Sequence, residues 1–270
     1  DVARDTGYIK TPVFISIFLR VESFLLRQVS SISIVSPRYE SFLVSKGVSK
    51  ERISYLPIGF DNFEVEDNTV YNRGYLEHLF NGQKIEYLFL YSGTLGFVNN
   101  IEPILNLAEL FVNSHNVGFI IAGDGQRFED IKNDCSRRAL NIKFLGRITK
   151  QDVAAVCRAV DICMYTSEKG DALNSILGNK IFDYLGAGKA VLYYGPSSAV
   201  SDLIEEEGCG LTVFEGSCYS LYNEARELCA NSELRRLLGT AGRSAVMSKY
   251  LAKQAAEGYA GLVSATITNE

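Results

Sequence analysis

The chain has 270 residues, 47% of them apolar, enough for a sizeable core in one large domain or two small ones. Its formal net charge of −5 gives no electrostatic support to a nucleic-acid partner. Two histidines and six cysteines without a C-x-x-C pair speak against a zinc site or a disulfide framework, and this cysteine usage fits a reduced, cytoplasmic compartment.

In residues 11–32, Phe14, Ile17, Phe18, Val21, Phe24, Leu25 and Val29 fall at helical spacing, which predicts a strongly amphipathic helix. Arg20, Glu22 and Arg27 interrupt the run, so it falls short of the roughly 18 apolar residues of a membrane span. A helix packed on a core is the expected arrangement. A peripheral, in-plane membrane contact is the alternative, because arginines flank a wide apolar face. A strand at 32–35 ends at Ser36-Pro37, a helix follows to about residue 46, and a strand at 52–56 enters the turn Pro57-Ile58-Gly59-Phe60-Asp61. Residues 62–84 are polar and irregular, the composition of a linker between domains.

Beyond the linker the pattern turns regular. Strands are predicted at 87–92, 117–122, 142–145, 161–165, 190–194 and 210–213, and helices at 101–112, 127–139, 150–159, 179–185, 200–207 and 218–230. Alternation at this spacing builds right-handed βαβ units: an α/β fold with a Rossmann-like parallel sheet and helices on both faces. Helices at 232–248 and 250–265 follow.

Three strands end in loops suited to a phosphorylated ligand. Gly93, Thr94, Leu95 and Gly96 follow the first strand, Gly123, Asp124 and Gly125 the second, and Gly146, Arg147 and Ile148 the third. Glycine turns let the backbone approach a diphosphate and direct N–H groups toward it. The segment 173–192, L-N-S-I-L-G-N-K-I-F-D-Y-L-G-A-G-K-A-V-L, adds a short helix with Lys180, able to neutralise a phosphate. Asp183, three residues on and near the same helix face, can accept from ribose hydroxyls. A parallel sheet gathers the carboxyl ends of its strands, so these loops are expected to converge on one site.

Four segments, taken in this order and spacing, resemble the retaining nucleotide-sugar glycosyltransferases of family 4, which have the GT-B fold, and among them the branch of bacterial aminosugar transferases. They are V-S-P at 35–37 with L-P-I-G-F-D at 56–61, Y-S-G-T-L-G at 91–96, I-A-G-D-G at 121–125 with F-L-G-R-I at 144–148, and G-N-K-I-F-D-Y-L-G-A-G-K at 178–189. The resemblance implies a donor-binding domain over 85–248, preceded by a remnant of an N-terminal acceptor domain (1–61) and the linker 62–84, and followed by a C-terminal helix (249–270). It implies that residues 93–96 face the donor phosphates, that Asn179 and Lys180 lie beside the diphosphate, that residues 146–148 meet the base and that Asp183 holds the ribose. Lys180 and Asp183 would be the principal acting groups. Neither a metal nor a cofactor is implied beyond the donor substrate, a nucleotide sugar linked to UDP. The acceptor would be a polysaccharide or a lipid-linked saccharide.

The sequence departs from that pattern at two positions. Ser175 stands where the family usually places a glutamate toward the donor sugar, and Phe97 where relatives commonly carry an arginine or lysine for the pyrophosphate. Charge neutralisation would then fall to Lys180, with Arg127 or Arg147. The short N-terminal part makes the chain read as an incomplete copy of such an enzyme, and a non-catalytic module binding a sugar nucleotide or a partner is the alternative. A nucleotide-sugar epimerase on the same architecture would need a histidine in the site, and neither His78 nor His115 falls at a ligand loop.

Overall fold

The computed structural model describes residues 12–61, 70–96, 99–170, 173–214, 216 and 218–268. Helix α1 (Pro12–Gln28) leads into a parallel pair of short strands, β1 (Ile32–Ile34) and β2 (Ile53–Tyr55), connected through α2 (Arg38–Ser45). The core of this unit is small: Ile34, Leu43 and Val48, with Leu26 reaching in from α1. That corrects the expected packing of α1. Phe14, Phe18 and Phe24 are 58%, 60% and 62% exposed, and Ile17, Val21, Leu25 and Val29 are exposed as well. Two three-residue strands and one short helix offer too little apolar surface to cover the stripe of a 17-residue helix.

The segment expected to be irregular contains a helix, α3 (Arg73–His78). Asn72 caps it by accepting from the Tyr75 N–H at 3.0 Å. Leu76 and Phe80 are buried in the main core, and Arg73 pairs with both Glu77 and Asp161.

Six strands then form one parallel sheet: β3 (Tyr87–Ser92), β4 (Val117–Ala122), β5 (Ile142–Gly146), β6 (Ile162–Thr166), β7 (Ala190–Gly195) and β8 (Gly210–Phe214). The connecting helices are α4 (Glu102–Leu110), α5 (Phe128–Arg137), α6 (Lys150–Ala159), α7 (Lys180–Gly186) and α8 (Ala199–Glu207). The sheet order is β5-β4-β3-β6-β7-β8. The chain therefore winds outward from β3 to β5, then returns beside β3 as β6 and winds the other way. Where the winding reverses, a crevice opens beyond the carboxyl ends of the two central strands, the place where such sheets bind ligands. Side chains alternate across the sheet: Leu88 and Leu90 enter one core cluster, Phe89 and Tyr91 the other. Burial on both faces explains why these strands read as unbroken apolar runs.

Two contacts seat α7 at this crevice. The Ser92 N–H, at the end of β3, donates to the fully buried Tyr184 hydroxyl at 2.8 Å, and the Ser92 hydroxyl donates to it at 3.1 Å. At the other end of α7, Gly186 lies against the Phe60 ring so closely that a Cβ there would come within 2.2 Å of it. Phe60 belongs to the turn after β2, and its N–H and C=O bond to Tyr250 and Ala252. After α9 (Cys218–Ala230) and α10 (Ser232–Lys249), helix α11 (Ala252–Thr268) returns to the N-terminal unit. There Ser31 and Thr266 hydroxyls meet at 3.1 Å, and the Ser33 hydroxyl donates to Tyr259 at 3.3 Å. Among the described residues no helix is long and apolar enough to cross a membrane.

Candidate functional site

The three glycine turns interlock. Gly93 N–H donates to Ala122 C=O at 2.9 Å, Leu95 N–H to Asp124 C=O at 2.8 Å, Gly123 N–H to Gly146 C=O at 2.8 Å, and Arg127 N–H to Leu95 C=O at 3.0 Å. Gly123 has φ +144° and lies against Gly93, where a Cβ would meet the Gly93 carbonyl oxygen at 2.0 Å. These bonds correct one element of the sequence reading. The N–H groups of Gly93, Leu95 and Gly123 hold the turns together rather than facing a ligand. Those of Thr94 and Gly96 have no backbone acceptor among the described residues. The Leu95 side chain is core.

Lys180 reaches from the start of α7 to this cluster. Its ammonium donates to the Tyr91 hydroxyl and to Asn99 Oδ1, each at 3.3 Å, and lies 4.4 Å and 4.6 Å from the ring centroids of Tyr91 and Tyr165. A Cβ on Gly93 would sit 3.3 Å from Nζ, so ammonium and turn are in contact. Part of the residue keeps access to solvent, but its charged end is enclosed, and burial pushes its pKa down to about 7. No carboxylate among the described residues pairs with it. Two aromatic faces stabilise a cation only partly, so an enclosed ammonium without a counter-ion marks a place for an anion.

Asp183 lies one turn further along, half-buried. Burial pushes its carboxyl up to about 6, with nearby Lys150 pulling the other way and Asp61 adding to the rise. Lys150 and Asp61 themselves pair at 2.7 Å. Because Lys150 opens α6 directly after residues 146–148, Asp183 is on the side of the third turn, and Lys180 on the side of the first. Arg147 is exposed, and Ile148 packs half-buried on the core. Thr94, Asp124 and Asn179 are exposed, and Asn179 makes no side-chain cap bond. Arg127 is engaged by Glu102 at 3.0 Å, which leaves Lys180 as the enclosed cation. Ser175 lies half-buried in a single 3-10 turn, Leu173–Ser175. Phe97 lies outside the described residues.

Sequence reasoning missed the cleft beside Lys180. Asn99, Tyr165, Thr166, Ser167, Glu168, Leu173 and Ile176 line a cleft, open to solvent on one side, between the loops that follow β3 and β6. The available signal was the position of Thr166 and Glu168 at and just beyond the end of a central strand. Among the described residues no group of three or more His, Cys, Asp or Glu side chains is placed to hold a metal ion.

Interlocked glycine turns at the reversal point of a parallel sheet, with helices on both faces, define a Rossmann-like domain. The family model of glycosyl transferases group 1 matches residues 79–245, and the chain belongs to that family. Solved structures of similar fold include Anabaena Alr3699/HepE in complex with UDP and glucose, with 17% identity and a TM-score of 0.76 over 92% of this chain and 66% of that one. Sucrose-phosphate synthase from Thermosynechococcus elongatus has 17% identity and a TM-score of 0.78 over 100% of this chain and 67% of its own. WaaG, a glycosyltransferase involved in lipopolysaccharide biosynthesis, has 18% identity and a TM-score of 0.66 over 84% of this chain and 60% of its own. The chain thus spans about two thirds or less of these three proteins, which share its GT-B architecture. No curated protein matches the sequence.

Proposed function

We propose that the chain carries the donor site of a retaining, metal-independent family 4 glycosyltransferase, moving a sugar from a UDP-linked donor to a polysaccharide or lipid-linked acceptor. The observation that carries this reading is the enclosed ammonium of Lys180 in contact with the Gly93 turn. The UDP bound by the Anabaena protein supports the choice of nucleotide, and the lipopolysaccharide role of WaaG supports the acceptor class. Assignment to the aminosugar branch rests on G-N-K-I-F-D-Y at 178–184. The open apolar face of α1, with Arg20 and Arg27, supports a peripheral membrane contact suited to a lipid-linked acceptor.

In the transfer, the acceptor oxygen bonds the anomeric carbon while the bond from that carbon to the diphosphate oxygen breaks, and the acceptor proton passes to the departing phosphate. Lys180 and the N–H groups of Thr94 and Gly96 stabilise the charge that gathers on the diphosphate. Asp183 accepts from the ribose hydroxyls and fixes the nucleoside, so catalysis rests on charge and positioning.

Binding of UDP compared with inorganic pyrophosphate tests the assignment. Asp183→Asn is expected to weaken UDP about tenfold, the worth of a hydrogen bond to a charged group, and to leave pyrophosphate unchanged. Wild-type UDP affinity is expected to fall as pH drops through 6, where Asp183 takes up its proton and comes to resemble the amide. An Asp183→Asn protein that binds UDP normally would remove the ribose role. UDP binding without transfer to any acceptor would favour the non-catalytic module.

A further inference from the structure

We propose that Glu168 sets donor choice in the cleft beside Lys180, so that the cleft takes a neutral, hydroxyl-rich sugar and rejects a uronic acid. The inference rests on the nucleotide-sugar reading above and adds the class of sugar.

The cleft adjoins the position of the diphosphate. Asn99 lines it and also accepts from the Lys180 ammonium, and Tyr165 lines it while its ring lies under the same ammonium. A group attached to a phosphate held by Lys180 would lie next to this cleft.

Its polar lining is short of partners. Thr166 is 1% exposed, and its hydroxyl oxygen makes no hydrogen bond. Glu168 has neither an ion pair nor a hydrogen bond among the described residues. On the neighbouring turn, the buried Asn174 Oδ1 is likewise unpartnered. Asn99, by contrast, is engaged, its amide donating to Thr94 C=O at 3.0 Å and its oxygen accepting from Lys180. No lysine, arginine or histidine is among the lining residues described.

This chemistry discriminates. A carboxylate only accepts hydrogen bonds, so it favours a ligand that brings donors. Hexose or N-acylhexosamine hydroxyls can donate to Glu168. A uronate would set a second carboxylate against Glu168, and the neighbouring Lys180 ammonium is committed to the diphosphate under the nucleotide reading.

Calorimetric titration of UDP, UDP-glucose and UDP-glucuronate into the wild-type chain, Glu168→Gln and Thr166→Val tests this. Wild type is expected to bind UDP-glucose at least about 100-fold more tightly than UDP-glucuronate, from like-charge repulsion at close range. Glu168→Gln is expected to narrow that gap to less than about tenfold with UDP affinity unchanged. Glu168 is partly exposed and without partners, so the variant should keep its thermal midpoint. Thr166→Val is the control: its hydroxyl is closed off from the cleft, so the variant is expected to leave UDP affinity and the gap between the two sugars unchanged. Equal affinities for the two sugars in wild type, or an unchanged gap in Glu168→Gln, with UDP still bound, would overturn the Glu168 filter and leave the nucleotide reading standing. If UDP itself failed to bind, both would fall.

Discussion

Replacing Lys180 with methionine is expected to weaken UDP about 100-fold while leaving the ligand-free protein at least as stable as wild type. The loss follows from removing the enclosed cation: a unit charge about 4 Å from a phosphate is worth roughly 4 kcal/mol gross at an effective dielectric near 20, part of it offset by desolvation. At a ligand concentration of 100 times the wild-type Kd, the stabilisation conferred by UDP is expected to drop from about 2.7 to about 0.4 kcal/mol. The gain in ligand-free stability has a definite sign. Burial lowers the folded-state pKa of Lys180 from 10.5 to about 7. The ammonium therefore opposes folding in full below pH 7, and the penalty is relieved as pH rises from about 7 through 10.5. Methionine fills the space between Tyr91 and Tyr165 without a charge, so the gain should be larger at pH 6 than at pH 9. Thermal unfolding with and without UDP at the two pH values measures both effects. A variant that unfolds early and binds nothing would instead make Lys180 a structural residue.

Gly123→Ala is expected to cost about 3 kcal/mol or more and to abolish nucleotide binding with it. A methyl group there meets the Gly93 carbonyl oxygen at 2.0 Å and its carbon at 2.9 Å, both backbone atoms, at a φ of +144° that an alanine rarely adopts. Relief requires parting the first two turns, the hydrogen bonds of which place Gly93 against Lys180. Gly146→Ala is the control. It too has positive φ, +67°, but nothing lies within 4 Å of its Cβ position, so only the backbone cost of about 1–2 kcal/mol is expected. Denaturant midpoints of the two variants test the interlock, and equal costs would contradict it.

How much of this was legible in the sequence follows from what is local. Strands β3 and β4 were read at their observed bounds because both faces are buried, making apolar runs bounded by glycine. Helix α6 was equally plain, since Thr149 and Asp152 form a capping box at its start. Helix α3 was missed: six residues are too few to display a period, and the core-facing Leu76 and Phe80 are hidden among Asn, Gly and Glu. For α1 the periodicity announced an apolar stripe but carried no information about its cover.

The site divides in the same way. Glycine turns and Lys180 stood out as residue types at strand ends, because parallel topology brings those ends together. Consumption of the Gly93, Leu95 and Gly123 N–H groups by neighbouring turns depends on pairing between segments about 30 residues apart, which no local pattern encodes. The sandwich of Lys180 between Tyr91 and Tyr165 joins three separate elements, and both tyrosines read simply as strand residues. The cleft with Thr166 and Glu168 lies where two loops face each other, and its unpartnered atoms become visible only in three dimensions.

The most direct measurement is proton uptake on UDP binding to the wild-type chain, obtained by calorimetry at pH 8 in two buffers of different ionisation enthalpy, with uridine as control. If the ammonium of Lys180, with its pKa near 7, closes on the diphosphate, binding raises that pKa and draws in about 0.9 proton at pH 8. Affinity should then fall about tenfold per pH unit above 7, and uridine should bind without uptake. UDP binding with no proton uptake, or uridine binding as tightly as UDP, would contradict a diphosphate site built on Lys180 and the glycine turns.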